Sequence, residues 1–314
     1  MKNKLLAVLA TLGMVATASA VKVNNNLSIS GFIDGSYAVQ ETDATKTQAL
    51  EVDEVEINFN VNVGNVSGLV ALDSALDGLD TSDYGIEQAH FTYNVNDAIS
   101  VTFGRYGSAL GLEREDPAGL YTFSRAYSTN SSFNFGDIDS VGAVDGLTVA
   151  YAADAYSIAV SLENQNSVEH LLETNDLDFE ISFTYSGIAG VNIGGGFFID
   201  NEDNAANEAD AVNLHVSRQF GKLLLAGEYS EIDQNGADRD AYLILADYDV
   251  NNKFGVALRL SSEELAANAG DYDKLTIAPN YAITESLGAI LEYSDVDNAG
   301  ADSEEYAVEL TYTF

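Results

Sequence analysis

From Leu27 to the carboxyl terminus, apolar and polar residues alternate in short runs. The clearest run, residues 54–63, reads EVEINFNVNV, with Val, Ile and Phe on one face and Glu and Asn on the other. A period of two is typical of β-strands whose two faces meet different surroundings. The pattern predicts sixteen strands between residues 27 and 314. The third of them, residues 68–75, alternates poorly, so counts of fourteen and eighteen also fit the pattern.

The predicted connections are sorted by length. Short turns follow the even-numbered strands, and longer, mostly acidic loops follow the odd-numbered ones. Outer-membrane β-barrels have this arrangement, whereas a soluble sandwich, which also has one wet face, has no reason to sort its loops. We therefore predict an all-β fold, a closed antiparallel transmembrane β-barrel of about 16 strands. The long loops are predicted at 40–48, 76–84, 108–146, 165–176, 200–210, 233–240, 263–272 and 295–305.

Aromatic residues at the predicted strand ends agree with a barrel, because such barrels carry an aromatic girdle at each membrane interface. No run after the first twenty residues is long and apolar enough for a membrane helix. The predicted girdle residues are Tyr37, Tyr93, Tyr106, Tyr185, Phe220, Tyr229, Tyr248, Phe254, Tyr281 and Tyr293.

The first twenty residues read as a signal peptide. Lys2 and Lys4 precede an apolar stretch over residues 5–15, and Ala-Ser-Ala at 18–20 fits a cleavage site. We therefore divide the chain into a signal peptide, 1–20, and a barrel domain, 21–314. The apolar stretch is too short to serve as a membrane anchor.

Composition excludes several classes of function. With 50 acidic and 13 basic residues the net charge is −37, so the chain lacks the basic surface that nucleic-acid binding requires. The absence of cysteine excludes disulfides, thiolate metal sites and thiol catalysis. A hydrophobic content of 46% is too high for a disordered acidic chain.

Two short motifs resemble those of the general-diffusion porins of Gram-negative outer membranes. The chain ends in LTYTF, residues 310–314, and FGRYG at 103–107 leads into the third long loop, 108–146. The resemblance implies that Tyr312 and Phe314 are the signal read by the barrel-assembly machinery. It also implies a homotrimer in outer-membrane lipid, with the third external loop folded into the lumen.

In a lumen-folded loop, the run Glu113, Arg114, Glu115 and Asp116 becomes the candidate pore constriction. The alternative is a solvated charge run on a surface loop. The aromatic residues expected to pack this loop against the barrel wall are Tyr121, Phe123 and Tyr127.

Alternation also predicts which charges face the lumen. On this face the only clear bases are Arg259 and Lys274, so the strong field of loop acids against wall arginines that occurs in porins is not expected. A lumen lined mainly by one sign of charge attracts counter-ions, which predicts a preference for cations. The predicted lumen charges are Asp34, Glu54, Glu56, Asp178, Glu180, Glu228, Asp247, Asp249, Arg259, Lys274, Glu292 and Glu309.

These features predict a passive outer-membrane channel for ions and small hydrophilic solutes, with no enzymatic step and no cofactor. Loose association of Ca²⁺ or Mg²⁺ with acidic loops such as 200–210 is an open alternative to a simply solvated surface. His90, His170 and His215 are dispersed and form no zinc motif, and Gly194–Gly196 is expected to ease close packing. The rival functions are a barrel acting as an adhesin or phage receptor, and a soluble secreted β-sandwich or β-solenoid.

Overall fold

The chain folds into one antiparallel sheet that closes on itself. The structure, a computed structural model, describes residues 20–75, 85–113, 117–128, 131, 133, 143–164, 177–201, 209–234, 237–265 and 269–314. A two-residue strand, β1 (Val21–Lys22), pairs with the first long strand, and sixteen long strands follow within these residues. They are β2 (Leu27–Thr42), β3 (Lys46–Val63), β4 (Val66–Ala75), β5 (Gly85–Asn94), β6 (Ile99–Tyr106), β7 (Val144–Ala152), β8 (Tyr156–Asn164), β9 (Asp178–Tyr185), β10 (Val191–Ile199), β11 (Ala209–Phe220), β12 (Leu223–Gln234), β13 (Ala237–Asp249), β14 (Phe254–Glu264), β15 (Asp271–Ala282), β16 (Leu287–Asn298) and β17 (Ala301–Thr313).

Each long strand pairs with its neighbours in sequence, and β17 pairs with β2 to close the barrel. The pairing continues beyond the last strand, because the backbone N–H groups and carbonyl oxygens of Gly31 and Phe314 exchange two hydrogen bonds of 3.0 Å. Closure gives each of the sixteen long strands a partner on both sides, as a sheet surrounded by hydrocarbon requires. The predicted sixteen-stranded closed barrel is confirmed.

The outer face carries large apolar side chains on every long strand. On β13, for example, Tyr242, Ile244 and Tyr248 are 51%, 58% and 48% exposed, whereas Leu243 and Leu245 between them are buried. Exposed apolar surface on this scale requires an apolar solvent.

One predicted girdle residue was assigned to the wrong face. Tyr106 continues the inner face of β6 after Ser100 and Thr102, and its ring packs edge-on against His90 at 6.4 Å between centroids. The error arises because Tyr106 is the last residue of its strand, where an aromatic residue is expected of an outer-face girdle and can equally well lie on the inner face.

Four of the predicted long loops are shorter than expected by four or more residues, because their strands extend further. The predicted loops 40–48 and 295–305 reduce to 43–45 and 299–300, and those at 233–240 and 263–272 reduce to 235–236 and 265–270. Hairpin pairing needs no apolar face once the strands leave the hydrocarbon, so acidic residues continue in the strands. Apolar and polar residues alternate only where one face of a strand meets lipid. Strand ends predicted from this alternation therefore fall short of the observed ends.

The predicted signal peptide lies outside the described residues apart from its last residue, Ala20. Within the part of the chain that the structure describes, no helix has the length and apolar character of a membrane-spanning helix.

The two faces of β11 lead to a stability prediction. Leu214, near the middle of the strand, is 50% exposed on the outer face, and His215 next to it faces inward. We expect Leu214→Arg to cost about 2–4 kcal/mol, because that is the cost of Arg on the lipid side of a barrel midplane. Equilibrium folding into lipid vesicles in urea measures it. His215→Arg is the matched control, and an equal loss in both variants would contradict the assignment of faces.

Candidate functional site on the inner face

The described part of the connection between β6 and β7 lies against the inner face of the barrel. We refer to it as the 107–133 segment, which is described at residues 107–113, 117–128, 131 and 133. Apart from a 3-10 turn at Pro117–Gly119, its described residues form no regular secondary structure. Their backbone groups therefore need hydrogen-bond partners from elsewhere.

Polar side chains of the barrel wall supply those partners. Glu180 on β9 accepts a hydrogen bond from the backbone N–H of Ala109 at 3.0 Å. Asn213 on β11 accepts one from Gly111 at 3.1 Å, and Glu228 on β12 accepts one from Leu112.

Two more strands continue this series. Glu263 on β14 accepts a hydrogen bond from the N–H of Ser128 at 2.7 Å, and Glu292 on β16 accepts one from Ser124 at 3.2 Å. Hydrogen bonds to carboxylates are about twice as strong as those between neutral groups. Several of the predicted lumen acids thus hold the segment in place.

Arg259 is the central cation of this contact. Its side chain is fully buried, and Nη1 lies 2.6 Å from Oε1 of Glu113. The guanidinium also donates to Thr122 Oγ1 at 2.7 Å and to the carbonyl oxygens of Ser124 and Arg125 at 2.8 and 2.7 Å. Arg259 therefore joins β14 to two separate stretches of the segment.

Apolar contacts complete the attachment. Leu110, Leu112, Tyr127 and Phe133 of the segment are buried, with exposures of 0–8%. They pack in one cluster with small and apolar wall residues. The wall members of the cluster are Ala211, Ala226, Ile232, Ala241, Leu243, Leu245, Ala257 and Ala278.

Tyr127 links the apolar and polar parts of this contact. Burial, together with the nearby carboxylate of Glu228, raises the pKa of the Tyr127 hydroxyl. The hydroxyl therefore stays protonated and donates to Oε1 of Glu228 at 3.1 Å.

The other end of the segment approaches the closing seam of the barrel. The 3-10 turn at Pro117–Gly119 contacts β17 and β2. On these strands Asp34 and Glu309 face inward, 2% and 1% exposed, and Oδ1 of Asp34 accepts a hydrogen bond from Thr311 at 2.9 Å. The segment thus extends from the wall of β9–β16 to the seam.

Apart from those in the constriction run, every predicted lumen charge lies on the inner face. Of the two predicted bases, Arg259 pairs with Glu113, and Nζ of Lys274 lies 3.0 Å from Oε2 of Glu305. The acids assigned inward by strand register and burial are Asp34, Glu54, Glu56, Asp178, Glu180, Glu228, Asp247, Asp249, Glu292 and Glu309.

The inner-face charges that sequence reasoning missed include three on β8, β13 and β14. Glu163 on β8 and Glu263 on β14 are each 2% exposed, and Arg239 on β13 lies 5.4 Å from the centre of the Phe133 ring. Alternation after Ser161 would have found Glu163. The other two fell within loops that the structure shows to be strand.

Among the four predicted constriction residues, Glu113 is described, and Arg114, Glu115 and Asp116 lie outside the described residues. The Glu113 carboxylate faces Arg259 and also accepts a hydrogen bond from the N–H of Ala126 at 2.8 Å. Its position is that of an anchor, and a role of the whole run in selectivity stays a prediction.

The Gly194–Gly196 run has the packing role that the sequence predicts. A Cβ on Gly196 would lie 2.0 Å from the carbonyl oxygen of Ile181 and 2.9 Å from Cδ2 of Leu110, so glycine is needed where the segment packs. His215 lies over Gly194 and contacts Asn213. His170 lies outside the described residues.

Within the described ranges, no group of three or more His, Asp or Glu side chains is placed to hold a metal ion. Most of the acidic loop 200–210 falls outside those ranges. Loose association of Ca²⁺ or Mg²⁺ with the loops therefore stays a prediction.

Comparison with protein families gives one match over nearly the whole chain. Residues 6–314 match the family model described as Gram-negative porin. Comparison with curated proteins gives no match.

Solved structures share the fold at low sequence identity. OmpF of Salmonella typhi, in complex with daunomycin, superimposes with a TM-score of 0.68 and 14% identity, covering 94% of this chain and 100% of that one. An anion-selective porin from Comamonas acidovorans has a TM-score of 0.65 and 13% identity, over 92% and 99% of the two chains. The trimer form of Vibrio cholerae OmpT has a TM-score of 0.63 and 13% identity, over 92% and 100%.

Proposed function

The chain belongs to the Gram-negative porin family and is an outer-membrane protein, and we propose that its barrel is a passive, cation-preferring channel for small hydrophilic solutes. A barrel of sixteen strands is wide enough to hold a water-filled lumen. No chemical step is part of this proposal.

The charge of the inner face is the observation that carries the preference for cations. Inner-face carboxylates outnumber inner-face bases among the described residues, and the two bases predicted from sequence are each paired with a carboxylate. The net field of the lining is therefore negative, and it raises the local concentration of cations. An anion-selective porin has the same fold, so selectivity has to be argued from the lining.

The 107–133 segment supports a narrowed pore. It occupies the inner side of β9–β16 and reaches the seam at β17 and β2. Solutes would pass through the part of the lumen that the segment leaves open. Because the Debye length is about 8 Å at physiological salt, selectivity is expected to arise where the passage is narrow.

The assembly proposals rest on resemblance and on one comparison. A trimer form exists for Vibrio cholerae OmpT, and we extend the homotrimer to this chain. Tyr312 and Phe314, at the end of the strand that closes the barrel, are proposed as the signal for the barrel-assembly machinery.

Planar-bilayer recording tests the proposed function. Purified protein should produce stepwise conductance, and a KCl gradient should give a reversal potential with the sign of K⁺ preference. A reversal potential of the opposite sign would overturn the proposed selectivity. Absence of conductance steps would instead favour the alternative of a surface receptor with a plugged lumen.

A further inference from the structure

Three exposed basic residues lie on two neighbouring hairpins, at the end of the barrel with the short turns. Lys222 is in the turn from β11 to β12, and Lys253 is in the turn from β13 to β14. Arg218 of β11 is on the outer face, because it follows the exposed Leu214 and Val216 with a period of two. We refer to Arg218, Lys222 and Lys253 as the basic patch.

The two lysines extend along the rim of the barrel from one turn to the next. Nζ of Lys222 donates to the carbonyl oxygen of Val250, in the turn that contains Lys253, at 2.7 Å. Nζ of Lys253 donates to the carbonyl oxygen of Ile283 at 3.4 Å and lies 5.9 Å from the centre of the outward-facing Tyr281 ring. Because an ammonium group has three donors, each lysine keeps donors for a further acceptor.

The guanidinium of Arg218 lies at the level of the membrane interface. Its Cζ is 4.5 Å from the centre of the Phe220 ring, and Phe220 is one of the predicted girdle residues. Among the described residues the guanidinium makes no hydrogen bond and no ion pair. Its planar fork of N–H donors is therefore open to an acceptor, and such a fork matches a phosphate group.

The basic patch also lacks the carboxylate partners that other bases of the chain have. Lys46, Arg105 and Lys274 have a carboxylate oxygen at 2.7, 3.9 and 3.0 Å. Within the described ranges, no carboxylate forms an ion pair with the patch, and Asp247 and Asp249 on the neighbouring strand point into the lumen. The charge of the patch therefore fits an anion from outside the chain.

The lipid-facing surface beside the patch is low enough to take acyl chains. In strand register, Leu225 of β12 and Ala246 of β13 are level with Arg218, and Gly227 is one outward position further from the short turns. Ala246 and Gly227 are the smallest outward residues of their two strands. Larger side chains such as Tyr248 surround them, so they form a shallow depression.

We propose that the basic patch binds the phosphate of an anionic glycerophospholipid, whose acyl chains lie over Gly227 and Ala246. In outer-membrane barrels the short turns are periplasmic, so this lipid belongs to the periplasmic leaflet. The outward acids at the opposite end of the barrel would repel such a headgroup. They include Glu264, Asp271 and Asp295.

Native mass spectrometry of the intact barrel tests the site. The protein in detergent is equilibrated with equimolar phosphatidylglycerol and phosphatidylcholine, which carry the same acyl chains and differ in headgroup charge. We expect wild type to retain phosphatidylglycerol in excess. The triple variant Arg218→Gln, Lys222→Gln and Lys253→Gln should lower the ratio of the two bound lipids at least about tenfold, because each Lys or Arg near an anionic membrane surface contributes about fivefold.

The matched control removes the same charge elsewhere, as Lys46→Gln, Arg105→Gln and Lys274→Gln, and it should keep the wild-type ratio. Equal ratios in wild type and the patch variant, or equal falls in the two triple variants, would overturn the proposal. Displacement of the lipid by an equal concentration of glycerophosphate would also overturn it, because a phosphate site without acyl contacts would then suffice. Bound lipid is measured without current, so the result is independent of the proposed channel function.

Discussion

Replacement of Arg259 by alanine is expected to release the 107–133 segment from β14 and to raise single-channel conductance. The guanidinium is fully buried and holds Glu113, Thr122 and the Ser124 carbonyl together. Removing one partner of a buried ion pair costs about 3–5 kcal/mol, because the other charge is left without compensation. The loss weakens the contact between the segment and the barrel wall, because the backbone hydrogen bonds between the sixteen strands do not involve this side chain. Planar-bilayer recording measures the increase.

Two variants make the result specific. Lys274→Gln removes the other predicted inner base, whose partner is Glu305 on β17, and should leave conductance close to that of wild type. Arg259→Lys keeps the charge but has a single donor group, and it should give an intermediate increase. Equal conductance in Arg259→Ala and wild type would show that the segment is held without Arg259.

Neutralising three inner-face acids away from the Arg259 contact is expected to reduce the cation preference severalfold, because fields of a few kT act in such a cleft. The triple variant is Glu51→Gln, Glu54→Gln and Asp249→Asn, and none of these three inner-face side chains is buried. Reversal potentials in KCl gradients measure the change. It should be larger near 0.1 M salt, where the Debye length is about 10 Å, than near 1 M, where it is about 3 Å.

The control for this experiment removes the same charge from the outer face. Glu264, Asp271 and Asp295 point outward near the ends of their strands that lie opposite the short turns. Their neutralisation as Glu264→Gln, Asp271→Asn and Asp295→Asn should leave the reversal potential unchanged. Equal shifts in both triple variants would mean that total charge, and not the lining, sets selectivity.

The barrel could be predicted from sequence because alternation is a local signal. The residues of each strand show by themselves which face is apolar and which is polar. Closure of the sheet then follows, because unpaired backbone groups at an open edge are costly in lipid. The signal weakens where lipid ends, so strand ends near Thr42 and Ala301 were read as loop. Glu263 and Arg239 were missed for the same reason.

The attachment of the 107–133 segment could not be predicted, because its partners are far apart in sequence. Arg259 and Glu113 are separated by 146 positions, and no spacing rule connects them. One local signal was available, however. Residues 241–246 read AYLILA, apolar on both faces, and strands buried on both faces give such runs. In a barrel with a polar lining, an apolar inner face such as that of residues 241–246 indicates that another element covers this part of the wall.

Cysteine accessibility tests the central claim most directly, namely that water fills the lumen except where the 107–133 segment covers the wall. The chain has no cysteine, so single replacements can be read without background. Asn60 faces inward on β3 and is half-buried, whereas Ala257 on β14 is completely buried within the segment–wall cluster. A small, cationic, water-soluble thiol reagent should reduce the current of Asn60→Cys and leave that of Ala257→Cys unchanged. Equal reaction at both positions, or reaction at Ala257→Cys alone, would contradict the account.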